Sequence, residues 1–186
     1  DKAQIQVGLY DRLTGARLPV IGSDGGSLGD AVRFGQVRVR DRSGDVPNPI
    51  SVNFGDRMEL VGYDLDRRVV RPGETVTLTL YWRGLRRMDV NYTVSVQFVD
   101  VEQRKAAQLD GWPMDGAAPT TAWEPGGTVT DVRAMPIHPD AAPGVYDVRV
   151  AVYALEEQQL VHVPVISAAG RMLFDHVNLT RVRVMP

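Results

Sequence analysis

Val70–Trp82 reads VRPGETVTLTLYW, and its second half decides the fold class. Val76, Leu78, Leu80 and Trp82 share one face of an extended chain, and Thr75, Thr77 and Thr79 take the other. A period of two with one apolar face is the pattern of an antiparallel strand resting on a core. Pro72-Gly73 launches it: proline presets φ at the second position of a type II turn, and glycine takes the positive φ at the third. The same design recurs along the chain. Tyr92, Val94, Val96 and Phe98 alternate within Tyr92–Asp100. Tyr146, Val148, Val150 and Val152 do so within Val145–Leu155, after Pro143-Gly144. Thr128–Met135 follows Pro125-Gly126, and weaker alternation marks Arg57–Leu65, Leu160–Ile166 and Phe174–Val184. No stretch longer than about ten residues keeps a helical apolar period. Val101–Asp110 comes nearest and reads instead as a polar hairpin. These strands predict an all-β protein, an antiparallel β-sandwich of the immunoglobulin-like or jelly-roll-like kind.

Composition agrees and narrows the function classes. Twenty-eight valines stand beside 18 Gly and 12 Pro, the mixture of pleated surface and punctuation expected of many short strands. With 186 residues the chain can bury a real core without staples. Acidic and basic residues nearly balance, 23 against 21, which argues against a nucleic-acid partner or a polybasic membrane-surface segment. Cysteine is absent, so disulfides, thiolate catalysis and Cys-ligated metals are excluded. No apolar run approaches the ~18 residues of a membrane span. The opening Asp1-Lys2-Ala3-Gln4 is neither a signal peptide nor an initiator methionine, so the chain reads as a piece of a longer protein.

The two ends of the chain resemble each other. Ile5-Gln6-Val7-Gly8-Leu9-Tyr10 matches Val148-Arg149-Val150-Ala151-Val152-Tyr153. Pro19-Val20-Ile21 matches Pro164-Val165-Ile166, and from there the match runs without gaps through Asp30/Asp175, Val32/Val177 and Phe34/Leu179 to Val37-Arg38-Val39 and Val182-Arg183-Val184. Both copies slip parity between the second and third apolar positions, which is what a shared β-bulge produces. We therefore read 1–40 as the last strands of a preceding sandwich module, 41–49 (DRSGDVPNP) as a linker, and 50–186 as one complete module of about eight strands. A lone three-strand fragment is marginal in water. The arm is thus expected to pack on the main domain or to pair with another chain as a strand-arm dimer.

Val70–Trp82, Asp110–Trp123 (DGWPMDGAAPTTAW), Pro143–Tyr153 (PGVYDVRVAVY) and Val7–Val20 (VGLYDRLTGARLPV) together carry a family resemblance. The combination is similar to C-terminal extracytoplasmic β-sandwich modules of multi-span membrane glycosyltransferases in Chloroflexi-type bacteria, whose parents resemble dolichyl-phosphate-mannose-protein mannosyltransferases. The resemblance implies a location outside the membrane, a membrane-embedded parent domain and a neighbouring β-sandwich module as partners, and no catalytic residues in this chain.

Motifs that could carry chemistry are few. Gly25-Gly26-Ser27-Leu28-Gly29 has the letters of a nucleophile elbow, but no helical pattern follows Gly29 and the repeat copy has Met172 where Ser27 stands. It reads as a loop, and no catalytic residue is nominated. His162 can approach Asp175-His176 across a hairpin, yet the other copy carries Arg17 and Ala31 there. Zinc needs three or four convergent ligands, so no metal site or cofactor is nominated either. A structural calcium between loops stays open. Trp112 and Trp123 bracket the longest strand-free stretch. Two readings follow. The indoles form a platform that stacks on a cell-surface glycan, with Asp110, Asp115 and Glu124 accepting hydrogen bonds. Alternatively they fold back and plug the open end of the sandwich, which we prefer because large aromatics in structured loops usually bury area. The function expected is thus a non-catalytic spacer or interaction module of a larger membrane-anchored envelope protein, with carbohydrate binding through the loop aromatics as the alternative.

Overall fold

A computed structural model describes residues 2–9, 11, 16–38, 46–156 and 159–186. Tyr10 and Val39 of the matched ends, and residues 41–45 of the linker stretch, lie outside the described residues. The chain divides into two compact units, 1–43 and 44–186. Both are built on strands, with two short 3-10 turns at Pro113–Gly116 and Thr120–Ala122 in the second, in agreement with the all-β, antiparallel reading.

In the first unit, β1 (Lys2–Val7) pairs antiparallel with β2 (Val32–Arg38). Between them the chain doubles back through a bridge of Ile21 with Ser27. Gly25 closes that turn with φ +80°, which is why glycine stands there. The G-x-S-x-G letters therefore sit on a tight hairpin.

The second unit is a two-sheet sandwich. One sheet runs in the order β5 (Val69–Val70), β14 (His176–Val184), β10 (Gly144–Glu156), β7 (Thr93–Val99) and β8 (Lys105–Gly111), with β11 (Gln159–His162) also on β10. The other runs β13 (Met172–Phe174), β12 (Val165–Ile166), β3 (Asn48–Phe54), β4 (Met58–Leu65), β6 (Thr75–Gly84) and β9 (Thr128–Pro136). Among the described residues only β5 with β14 is parallel. Val76, Leu78, Leu80 and Trp82 of β6 are fully buried and face Val94, Val96 and Phe98 of β7 and Val148, Val150 and Val152 of β10 across one core. Each such side chain contributes about 1.5–3 kcal/mol by leaving water.

Among its described residues the unit has twelve strands where about eight were expected. Two single-strand expectations each split between the sheets. Leu160–Ile166 is β11 on one sheet and β12 on the other, because Pro164 has no N–H to continue a ladder. Phe174–Val184 divides likewise at Asp175. β3 begins at Asn48, inside the stretch read as linker. The Val101–Asp110 hairpin is present and carries β8 as its second arm. Gly73 and Gly126 take the positive φ of their Pro-Gly turns, whereas Gly144 does not and simply starts β10.

The matched ends share more than composition. Ala3↔Val37, Gln4↔Gln36, Gln6↔Arg33 and Val7↔Val32 correspond one for one to Tyr146↔Val182, Asp147↔Arg181, Arg149↔Asn178 and Val150↔Val177. Two residues, Phe34 and Gly35, stand opposite Ile5, and two, Leu179 and Thr180, stand opposite Val148. Both ladders are thus bulged at the same place, although Ile5 pairs with Phe34, the counterpart of Leu179, whereas Val148 pairs with Thr180. Ile21↔Ser27 corresponds to Ile166↔Met172. The bonds Leu18 N–H to Leu9 C=O, Gly22 to Gly26 and Gly25 to Gly22 recur as Val163 to Val152, Ser167 to Arg171 and Gly170 to Ser167.

Candidate functional site

The loop between β8 and β9 is built from a buried ion pair outward. Asp131 and Arg133 both lie on β9 with their side chains inside the sandwich. Arg133 Nε donates to Asp131 Oδ2 at 2.7 Å, and its two terminal nitrogens donate to the carbonyls of Val94 (3.0 Å) and Gly111 (3.1 Å). Asp131 Oδ1 accepts the Met114 N–H at 2.7 Å. A buried pair is tolerable only when its remaining bonds are met in this way. One guanidinium thus ties β7, β8 and β9 together, and the carboxylate holds the loop where Met114 and Asp115 take left-handed φ values of 54° and 51°. Thr120 anchors the far side: its hydroxyl accepts the Tyr92 N–H (2.9 Å) and donates to the Val90 carbonyl (3.1 Å).

The two loop indoles part company. Trp123 is 4% exposed, its Nε1 donates to the Ala118 carbonyl at 3.0 Å, and its ring centroid lies 6.3 Å from that of Trp82. It is buried against the core, whereas the preferred reading expected this of both indoles. Trp112 is 45% exposed. It borders a shallow depression with Thr93, Asp110, Asp115 and Tyr153. Glu124 is elsewhere, bound at the surface by Arg87 at 2.7 and 2.9 Å. Of the five glycan-loop residues, Trp112, Asp110 and Asp115 are therefore together, and Trp123 and Glu124 are not with them.

The depression leads into a deeper pit on the outer face of the β8–β7–β10 sheet. Strand register places Asp110 beside Ser95 and Ser95 beside Ala151; one row over, Gln108, Gln97 and Arg149 align, and on the other side Thr93, Tyr153 and His162. The middle row has small side chains and its neighbours large ones, so a cavity of about 220 Å³ opens over Ser95 and Ala151. They are only 4% and 8% exposed although they point away from the core. Asp175 and His176 close the pit, their side chains 2.6 Å apart. The Tyr153 and His162 rings stand 6.1 Å apart at 60°.

The electrostatics are mixed in sign. Burial and the nearby Asp110 carboxylate push the Tyr153 hydroxyl above its usual pKa, against a hydrogen bond with Thr93. The hydrogen bond from His176 holds Asp175 below the usual carboxylate range, with His162 assisting and burial opposing. Arg149 gives one terminal nitrogen to Gln103 at 3.2 Å, while its buried Nε has no partner among the described residues. Among those residues no set of three or more His, Asp or Glu is arranged to hold a metal ion. His162 and Asp175-His176 do converge, then, but as walls of a polar pit. A larger groove of about 710 Å³ opens on the flank of the same unit, between β3, β14 and the β12–β13 hairpin, with largely apolar walls that include Leu173, Phe174 and Val177. Among the described residues no helix is long and apolar enough to cross a membrane.

Sequence reasoning reached the rim of the pit and missed its floor. Ser95, Gln97, Gln108, Arg149 and Tyr153 come from three strands and meet only through cross-strand register. The one sequence signal was polar residues at the outward parity of otherwise apolar strands, as at Ser95, Gln97 and Arg149.

No protein-family model and no curated protein matches the chain. Among solved structures, the crystal structure of the C-terminal domain of Wzt is similar at a TM-score of 0.49 and 10% identity, over 78% of this chain and 83% of that one.

Proposed function

We propose that this chain is a non-catalytic accessory stretch from a row of β-sandwich modules, held outside the membrane as part of a larger membrane-anchored envelope protein. One observation carries the reading: the ladder of β10 and β14, with its connecting hairpin, is repeated by β1 and β2, with the same pairs on either side of a bulge at the same place. In the second unit that ladder closes a sandwich. The first unit has the closing ladder, and the rest of its sandwich belongs to a preceding module. The location and the membrane parent rest on the family resemblance alone. The test is the reading frame upstream of Asp1. It is expected to encode strands with the pattern of 50–147 directly before this chain, and apolar spans further up. A helical or unrelated sequence directly upstream overturns the row of modules, and a frame without apolar spans overturns the membrane parent.

A second reading is favoured by the half-exposed Trp112 beside Asp110, Asp115 and Tyr153. There the module binds carbohydrate, with the indole stacking on the C–H face of a sugar and the carboxylates accepting from its hydroxyls. Trp112→Ala should then weaken binding to a glycan array without loss of fold, whereas equal binding by the variant removes the indole from the site.

A further inference from the structure

Resting on that second reading, we propose that the pit over Ser95 and Ala151 receives one whole pyranose ring, the terminal or branching sugar of a glycan whose next residue lies over Trp112. Four features of the pit select such a ligand.

The first is shape. Outward positions in the middle of a sheet are ordinarily open to solvent, yet Ser95 and Ala151 are enclosed by larger neighbours on both sides. A closed floor of small residues is a recess for a compact group and unsuited to a flat partner surface. The second is the alternation of acceptors and donors around it. Asp110 accepts, Arg149 Nε donates, and the Gln97 amide does both. A vicinal diol needs that arrangement, because each hydroxyl donates once and accepts at the same time. The carboxylates of Asp110 and Asp175 disfavour an anion such as phosphate, while the apolar share of the lining is too small for a lipid tail.

The third feature is the unused donor. Arg149 Nε is buried without a partner, and a buried donor left unpaired is costly. Around it the polar groups are already engaged with one another: Gln97 with Ser95 at 3.4 Å and Gln108 with Asp110 at 2.9 Å. Arg149 lines the pit, so a small shift of its side chain as a sugar enters brings that donor onto a ligand hydroxyl. The fourth is continuity. Asp110 and Tyr153 line both the pit and the Trp112 depression, so a ring in the pit and a ring on the indole are adjacent units of one chain.

The experiment uses the whole chain and the methyl α-glycosides of mannose, galactose, glucose and N-acetylglucosamine, followed by nuclear magnetic resonance. At least one glycoside is expected to shift the Arg149 Nε–H and the Gln97 side-chain amide signals saturably. Ala151→Leu, which fills the floor, should weaken that glycoside by at least about tenfold. Arg149→Met keeps the stem and removes the donor, and should do the same should Ala151→Leu fold poorly. Trp112→Ala should cost more for the matching disaccharide than for the monosaccharide. Shifts confined to the Trp112 indole and untouched by Ala151→Leu overturn the pit and leave carbohydrate binding on the loop. No saturable shift with any of the four, or with a glycan array, overturns both.

Discussion

The ladder of β1 with β2 and the ladder of β10 with β14 share their register on either side of a bulge and the hairpin that joins them, and differ in the exposure of their apolar face. Val150 is 0% exposed and its counterpart Val7 is 50% exposed. Ile5, Leu9 and Phe34 are likewise exposed where Val148 and Val152 are fully buried and Leu179 half-buried. Backbone pattern is therefore specified locally, by parity, the bulge and the Gly25 or Gly170 turn, and is written identically into both stretches. Stability is another matter. A two-stranded ladder gains little until a second sheet takes its apolar side out of water.

The largest effect expected tests that division directly. Val150→Asp puts a carboxylate with no partner into the core between the sheets and should abolish cooperative unfolding of the second unit, a loss beyond about 4 kcal/mol. Val7→Asp makes the same change at the equivalent place and should shift the melting temperature of the chain by no more than a surface substitution, within about 0.5 kcal/mol. Comparable losses for the two would mean that the first unit's face is already covered, and no preceding module would be needed to cover it.

A smaller effect is expected from the polar core that the second unit possesses. Arg133→Met leaves Asp131 buried with one backbone N–H as its donor, and should cost about 3–5 kcal/mol in denaturant unfolding. In the first unit the ion pair of Arg17 with Asp30, at 3.3 Å, has both side chains well exposed. Arg17→Met should be close to neutral. If Arg133→Met proves equally harmless, the guanidinium is not what joins β7, β8 and β9, and the anchoring of the Trp112 loop must be sought in Thr120 instead.

What could be read from the residues follows the same line between local and non-local. The β6 alternation and the shared parity slip are local patterns, so strands, sandwich and bulge were legible. β3 was not, because Asn48-Pro49 looks like the end of a linker, and only pairing with β4 makes it a strand. The crossings at Pro164 and Asp175 were hidden because inward parity looks alike whichever sheet receives it. Trp112 and Trp123 have nearly the same local context, a loop rich in Pro and Gly, and their opposite fates depend on Trp82 and Ala118. The pit was the least legible part: its floor is a row across three strands, and register is a property of the assembled sheet.

The smallest expected effect concerns acid. Glu59 on β4 is largely buried and accepts from Arg83 Nε at 3.2 Å and from the Ser51 hydroxyl at 2.7 Å. Burial alone would raise its pKa, but the hydrogen bonds from Arg83 and Ser51 outweigh it and hold the carboxyl below its ordinary 4.5. A carboxyl that binds its proton more weakly when folded stabilises the fold fully above its unfolded pKa and loses that contribution as pH falls through the folded value. The stability of the second unit should therefore decline below pH 4.5, and Glu59→Gln should remove this part of the decline while costing about 1–2 kcal/mol at neutral pH. Arg17→Met should leave the acid limb unchanged, since an exposed pair contributes little that protonation could take away. An acid limb insensitive to Glu59→Gln would place the titrating group elsewhere, with Asp175 beside His176 the next to replace.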